Sequence, residues 1–211
     1  MGAADKAQSW RYVEEITPEG APAAGARARA VELDVDSVTP ATGALLATLA
    51  AAAGARHVVE IGTGAGVSGA WLLAGMPSDG ILTSIDIDVE HQRSARTAFA
   101  DAGVPTSRTR TIGGRALEVL PRLADGAYDL VLIDTDVADL QLLLEQGRRL
   151  LRVGGTLVVP HALWFDQVAD PARRDPETTT MRELVRSLLE SEEWTASLLP
   201  VGSGVVVAVK R

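Results

Sequence analysis

Between Val58 and Gly69 the chain reads VVEIGTGAGVSG, an apolar run carrying one acid, Glu60, followed by Gly62, Gly64, Gly66 and Gly69. Glycines at such spacing let a backbone close around a nucleotide-like ligand, because they adopt φ angles and close approaches that a Cβ forbids. Three more places carry reactive groups. Asp86 ends the run ILTSID, Asp134 and Asp136 end YDLVLIDTD, and His161 follows GTLVVP. Each stands where a strand would give way to a turn. A carboxylate at the open end of a buried strand is costly unless paired or ligated, so Asp134 is a site candidate on physical grounds alone. A histidine in such a position suits proton transfer near neutral pH.

These groups need a frame, and the patterning supplies one. Strands are expected at 57–61, 81–86, 107–112, 128–134 and 154–160, the third more polar and nearer an edge. Helices are expected between them, at about 67–74, 89–102, 115–124 and 138–151, with another at 177–193. An earlier helix starts at Thr39 as N-cap with Pro40 in its first turn and ends at Gly54; Leu45, Leu46 and Leu49 form its apolar stripe. The segments 194–199 and 205–210, joined by PVGSG, read as a hairpin. The fold class that follows is α/β: a Rossmann-like, doubly wound, mostly parallel seven-stranded sheet with one antiparallel strand in the C-terminal hairpin. Ligands in such sheets collect at the carboxyl ends of the strands. The chain of 211 residues is expected to form one domain, residues 1–38 being a helical and loop segment that wraps it.

Bulk composition narrows the function classes. Twenty basic against 28 acidic residues leave a net charge of −8, which counts against a broad nucleic-acid surface. The absence of cysteine excludes disulfides, thiolate zinc sites and a cysteine nucleophile. No apolar run approaches the roughly 20 residues that span a bilayer, and the N-terminus has no signal-peptide core, so the expected location is cytoplasmic.

Two cofactor classes use similar glycine spacings. Gly64, Gly66 and Gly69 fit the G-x-G-x-x-G of nicotinamide sites. The register argues otherwise: the strand ends near Ile61, the turn starts at Gly62, and counting from there puts Val67 in the third glycine's place. Glu60, read as facing the crevice, would meet a pyrophosphate as a like charge but favour an amino group and a sulfonium cation. EIGTGAG thus has the acid–x–G–x–G–x–G arrangement of S-adenosylmethionine sites, and Asp86 is placed to accept ribose hydroxyls.

In these segments, and in SVTPATGALL, GGRALEVLPRL and LLRVGGTLVV, the chain resembles the class I S-adenosylmethionine-dependent O-methyltransferases. It looks closest to an actinobacterial-like branch related to catechol and caffeoyl-CoA O-methyltransferases. The resemblance runs from about Val38 to the C-terminus. It implies that Val38 touches the methionine end of the cofactor, and that Glu60, Gly62 and Thr63 line its turn. It further implies that Ser68 bonds the methionine carboxylate, Asp86 the ribose, and that Ile87, Ala116 and Leu117 lie against the adenine. Asp134 and Asp136 would flank the reacting centre. Family members are commonly dimers, so a homodimer is expected, with a small-molecule acceptor.

The resemblance also implies a metal site in some members: an acid matching Asp134, an Asp-Asn pair after the fifth strand, and a nearby lysine. Here Pro160 and His161 stand where the pair belongs, and Val137 stands near the lysine's place. Two arrangements stay open. Asp134, Asp136 and His161 could bind a softer ion such as Mn²⁺, Fe²⁺ or Zn²⁺. The one favoured has no metal, with His161 as general base and Asp134 beside it. Trp164, with Phe165, suits the wall of a flat aromatic acceptor site. His57 and His91 read as structural or solvated. Rival functions are a tRNA hydroxyuridine methyltransferase, an NAD(P)-dependent oxidoreductase and a non-catalytic cofactor-binding protein.

Overall fold

The computed structural model describes residues 3–211; Met1 and Gly2 of the expected N-terminal segment lie outside them. Helices α1 (Ala3–Ile16), α2 (Ala21–Glu32) and α3 (Pro40–Ala52) precede the sheet. Thr39 caps α3 by accepting from the Thr42 amide, as its sequence position requires. The strands are β1 (His57–Ile61), β2 (Ile81–Asp86), β3 (Thr109–Gly113), β4 (Tyr128–Ile133), β5 (Leu151–Pro160), β6 (Trp194–Leu199) and β7 (Val205–Lys210). They form one sheet in the order β3-β2-β1-β4-β5-β7-β6. Among the described residues β7 alone runs opposite to the other six strands, pairing Pro160 with Val205 on one side and Leu199 with Val205 on the other. The polar β3 does lie at an edge.

The alternation of side chains along each strand builds two apolar layers. Val58, Leu82, Leu130, Leu132 and Val158 pack on one face with Leu46 of α3, Leu72 of α4 (Val67–Gly75) and Phe99 of α5 (Val89–Asp101). Val59, Ile61, Val131, Ile133 and Val159 pack on the other with Leu143 and Leu144 of α7 (Leu140–Leu150) and Leu184 of α8 (Pro176–Glu190). Helices on both faces bury every central strand, as parallel sheets require. The strand order switches from leftward to rightward between the parallel neighbours β1 and β4, the place where a crevice opens in this architecture.

Two expected helices are altered. The helix expected at 115–124 is a short α6 (Ala116–Val119) followed by a 3-10 turn over Leu120–Arg122, because Pro121 cannot donate its amide to a continuing helix. The helix expected from 138 opens as a 3-10 turn at Val137–Asp139 and becomes α7 only at Leu140. No helix among the described residues is long and apolar enough to cross a membrane.

Candidate active site

A crevice of about 540 Å³ lies over the carboxyl ends of β1, β2 and β4. The turn after β1 forms its floor. Gly62 has φ +90° and donates its amide to the Ile85 carbonyl at 2.9 Å, while Asp134 N–H donates to the Ile61 carbonyl at 2.8 Å. A Cβ on Gly62 would run into the Asp134 carbonyl oxygen, so glycine there lets the β1 and β4 ends meet. Gly66, at φ +92°, begins α4 with no side chain capping it. The first-turn amides of that helix are therefore available to an anion.

Asp86 sits at the rim of the turn. One carboxylate oxygen accepts from the Gly64 amide at 2.9 Å and the other from the Asp88 amide at 2.8 Å. His91 Nδ1 lies 3.3 Å from the first of these. With about two lone pairs per oxygen, the one bonded to Asp88 keeps a lone pair open for a ligand, while the other is shared between Gly64 and His91. Ile87, largely exposed, lines the crevice with Ala116 and Leu117, a flat apolar wall beside Asp86. Val38, Gly62, Thr63, Ser68, Asp134 and Asp136 also line it, so these expected residues meet in one place.

Glu60 does not. It is fully buried and absent from the lining, with its carboxylate turned towards α4. There it accepts from Ser68 Oγ and Ser84 Oγ, both at 2.5 Å, and Ser84 shares a 2.6 Å hydrogen bond with Thr63 Oγ1. The strand's alternation explains the difference, since Glu60 has the parity of Val58 and faces the same layer. Burial lifts its carboxyl to about 7 against the pull of the two serines, and the charges of Asp134 and Asp86 add to the rise. His91 departs from expectation in the opposite sense: read as solvated, it stands at the crevice against Asp86.

Asp134 and His161 close the β4 end. His161 Nε2 is 3.7 Å from Asp134 Oδ1, an approach longer than a hydrogen bond. Burial raises the Asp134 carboxyl, the charge of His161 opposes the rise, and Asp36 adds to it. His161 is outside the crevice lining, and its Nδ1 is buried with no hydrogen-bond partner. The loop it opens is tightly wound: His161, Trp164, Phe165 and Asp166 all have positive φ, between 47° and 65°. Such conformations are held only by surrounding contacts. Here Ala162 and Leu163 donate amides to Gly204 and Ser203. Trp164 leans onto the apolar layer under the loop rather than lining the crevice, while Phe165 is half exposed, 5.7 Å from the His161 ring. Asp136 does not cap the 3-10 turn that follows it with its side chain.

Asp36, Arg115 and Asp139, which no motif in the sequence singles out as site residues, also line the crevice. Arg115 pairs with Asp139 at 3.3 Å on the crevice wall. The five aspartates 36, 86, 134, 136 and 139 outnumber the basic side chains Arg115 and His91 there. Such a cavity favours a cationic ligand over a polyanionic one.

Residues 26–211 match the model of the family described as O-methyltransferase. The chain belongs to that family. A relative from Mycobacterium tuberculosis, itself named as an O-methyltransferase, is 51% identical over 201 residues, covering 95% of this chain and 90% of its own. A solved structure from Corynebacterium glutamicum superposes with a TM-score of 0.88 at 35% identity, covering 99% of this chain and 97% of that one. The O-methyltransferase TomG of Streptomyces achromogenes, solved in complex with S-adenosylmethionine, gives 0.86 at 27% identity, with 100% and 99% coverage. Membership sets aside the nicotinamide alternative for this O-methyltransferase.

A metal site of the kind found in some members needs three converging oxygen ligands. Pro160 offers no side-chain donor, and among the described residues no three His, Asp or Glu side chains stand close enough to hold an ion. The residues present do not fit such a site.

Proposed function

We propose that this O-methyltransferase carries the methyl group of S-adenosylmethionine to a hydroxyl of a small aromatic acceptor, and that Asp134, backed by His161, receives the acceptor's proton. The crevice carries this reading: an acidic wall for a sulfonium and an ammonium, with the Asp86 carboxylate at its rim and an open lone pair on Oδ1 for the ribose. Bound there, the cofactor supplies an electrophilic methyl and its own leaving group.

The chain's own residues supply alignment and proton transfer. The backbone at Gly62 and Gly64 admits the ligand closely, and Ile87, Ala116 and Leu117 offer apolar contact for the adenine ring. The first turn of α4, with Ser68, favours the methionine carboxylate. A phenol has a pKa of about 10, so its proton needs a receiver at neutral pH. Two observations favour Asp134 over His161 as that receiver. Asp134 lines the crevice and His161 stands behind it. The partnerless, buried His161 Nδ1 is less costly as a bare lone pair than as an orphaned N–H, which leaves the hydrogen on Nε2, facing Asp134. His161 then orients Asp134 and steadies its charge. Phe165 offers an exposed ring for an aromatic acceptor arriving from the loop side.

The net charge of −8 and the aspartate-rich crevice weigh against a tRNA acceptor. The reading takes the chain as one cytoplasmic domain that works as a homodimer. Transfer of labelled methyl from S-adenosylmethionine to a panel of catechols and to bulk tRNA, with and without chelator, tests it. Labelled catechol at an unchanged rate in chelator is the expected result. Labelling of tRNA alone, or of no acceptor despite cofactor binding, would reject the acceptor class or the catalytic reading.

A further inference from the structure

Four side chains beneath the crevice form an unbroken hydrogen-bonded row: Thr63, Ser84, Glu60, Ser68. The two ends, Thr63 and Ser68, line the crevice; the two middle members do not. Counting hydrogens decides what the ends present to a ligand. The row has three bonds. With Glu60 ionised, the three hydroxyl hydrogens fill all three: Ser68 and Ser84 donate to Glu60, and Thr63 donates to Ser84. Both ends then show the crevice only lone pairs. With Glu60 protonated there are four hydrogens for three bonds. One is left over, and either Ser68 or Thr63 must turn it towards the crevice.

The crevice at Ser68 is built for an anion, since α4 begins there with an uncapped first turn. A ligand carboxylate accepts hydrogen bonds and cannot use a lone pair. We infer that Glu60 is a positioning residue which takes up a proton from solvent when the ligand's carboxylate settles at Ser68, turning the Ser68 hydroxyl from acceptor into donor. The inference rests on the cofactor reading above, which supplies that carboxylate. The surroundings of Glu60 agree. Gly69 of α4 and Phe99 of α5 pack beside it and bring no charge, and the nearest charges on β2 and β4 are the carboxylates Asp86 and Asp134. The histidines nearby, His91 and His161, each stand against one of those acids rather than against Glu60. Burial already holds the Glu60 carboxyl near neutrality, so the step needs little driving.

Calorimetric titration of the full chain with S-adenosylhomocysteine, in buffers of different ionisation enthalpy from pH 6.5 to 8.5, tests this. The wild type is expected to take up close to one proton at the upper end, with Kd weakening about tenfold per pH unit once Glu60 is ionised in the free protein. The ligand's own amino group also enters the proton balance at the alkaline end, and Glu60→Gln is the control for it. Glutamine carries N–H at every pH, so this variant should bind with no added uptake and a flatter Kd profile. Ser84→Ala, which removes one donor that lowers the Glu60 carboxyl, should move the uptake midpoint to higher pH. Binding without net uptake in the wild type, an uptake as large in Glu60→Gln as in the wild type, or an unmoved midpoint in Ser84→Ala would overturn the inference. Absence of binding at every pH would overturn the cofactor reading instead.

Discussion

The two sides of the site, the crevice over β1 and β2 and the loop behind its β4 end, are built on different principles. The β1–β2 half rests on regular elements and on glycines whose φ no other residue would adopt comfortably. Gly62, Gly64 and Gly66 stand there at +90°, +48° and +92°. The β4–β5 half rests on a loop in which His161, Trp164, Phe165 and Asp166 take the same left-handed region without being glycine. The first half is built for one fixed ligand shape, since a backbone cannot be retuned by exchanging side chains. The second holds side chains in costly conformations and can be altered residue by residue. A fixed donor and a variable acceptor call for that division.

The comparison breaks hardest at Gly62. A Cβ there meets the Asp134 carbonyl, a backbone atom with no room to move, so Gly62→Ala should abolish binding of S-adenosylhomocysteine and lower Tm by several degrees. Isothermal titration and thermal melting check both. On the other half, Asp134→Asn should lower kcat about 100- to 10,000-fold while leaving S-adenosylhomocysteine affinity within a few-fold. His161→Ala, acting through Asp134, should cost less, on the order of tenfold; a larger loss than Asp134→Asn would return the base to His161. Single-turnover rates of methyl transfer separate the two.

The β1–β2 half was largely legible from sequence, because its signals are local. Glycine spacing and the strand-ending Asp86 each follow from a few neighbouring residues. Glu60 shows where this stops. In a strand buried on both faces, apolar residues carry no sign of which face is which, so the sequence could place Glu60 at the crevice end but not say which way it turned. The β4–β5 half was less legible for a different reason. The turn at 161–166 is held by amides donated to Ser203 and Gly204, some forty residues away in sequence, and no local pattern encodes such a contact. Trp164 accordingly read as an acceptor wall, whereas it packs under the loop and leaves Phe165 outside.

Smaller effects sharpen the contrast. Asp86→Ala should weaken S-adenosylhomocysteine about 10- to 100-fold, consistent with charge-assisted bonds to two hydroxyls, and leave the acceptor KM unchanged. Phe165→Ala should do the reverse, raising the acceptor KM several-fold with cofactor affinity intact. A variant that moved both constants together would show that the halves are not separable.

The most direct test is a crystal structure with S-adenosylhomocysteine. The ribose should lie on Asp86, the carboxylate at Ser68 and the first turn of α4, and the sulfur beside Asp134. A ligand seated elsewhere, or a ribose that leaves Asp86 untouched, would contradict the assignment of this crevice.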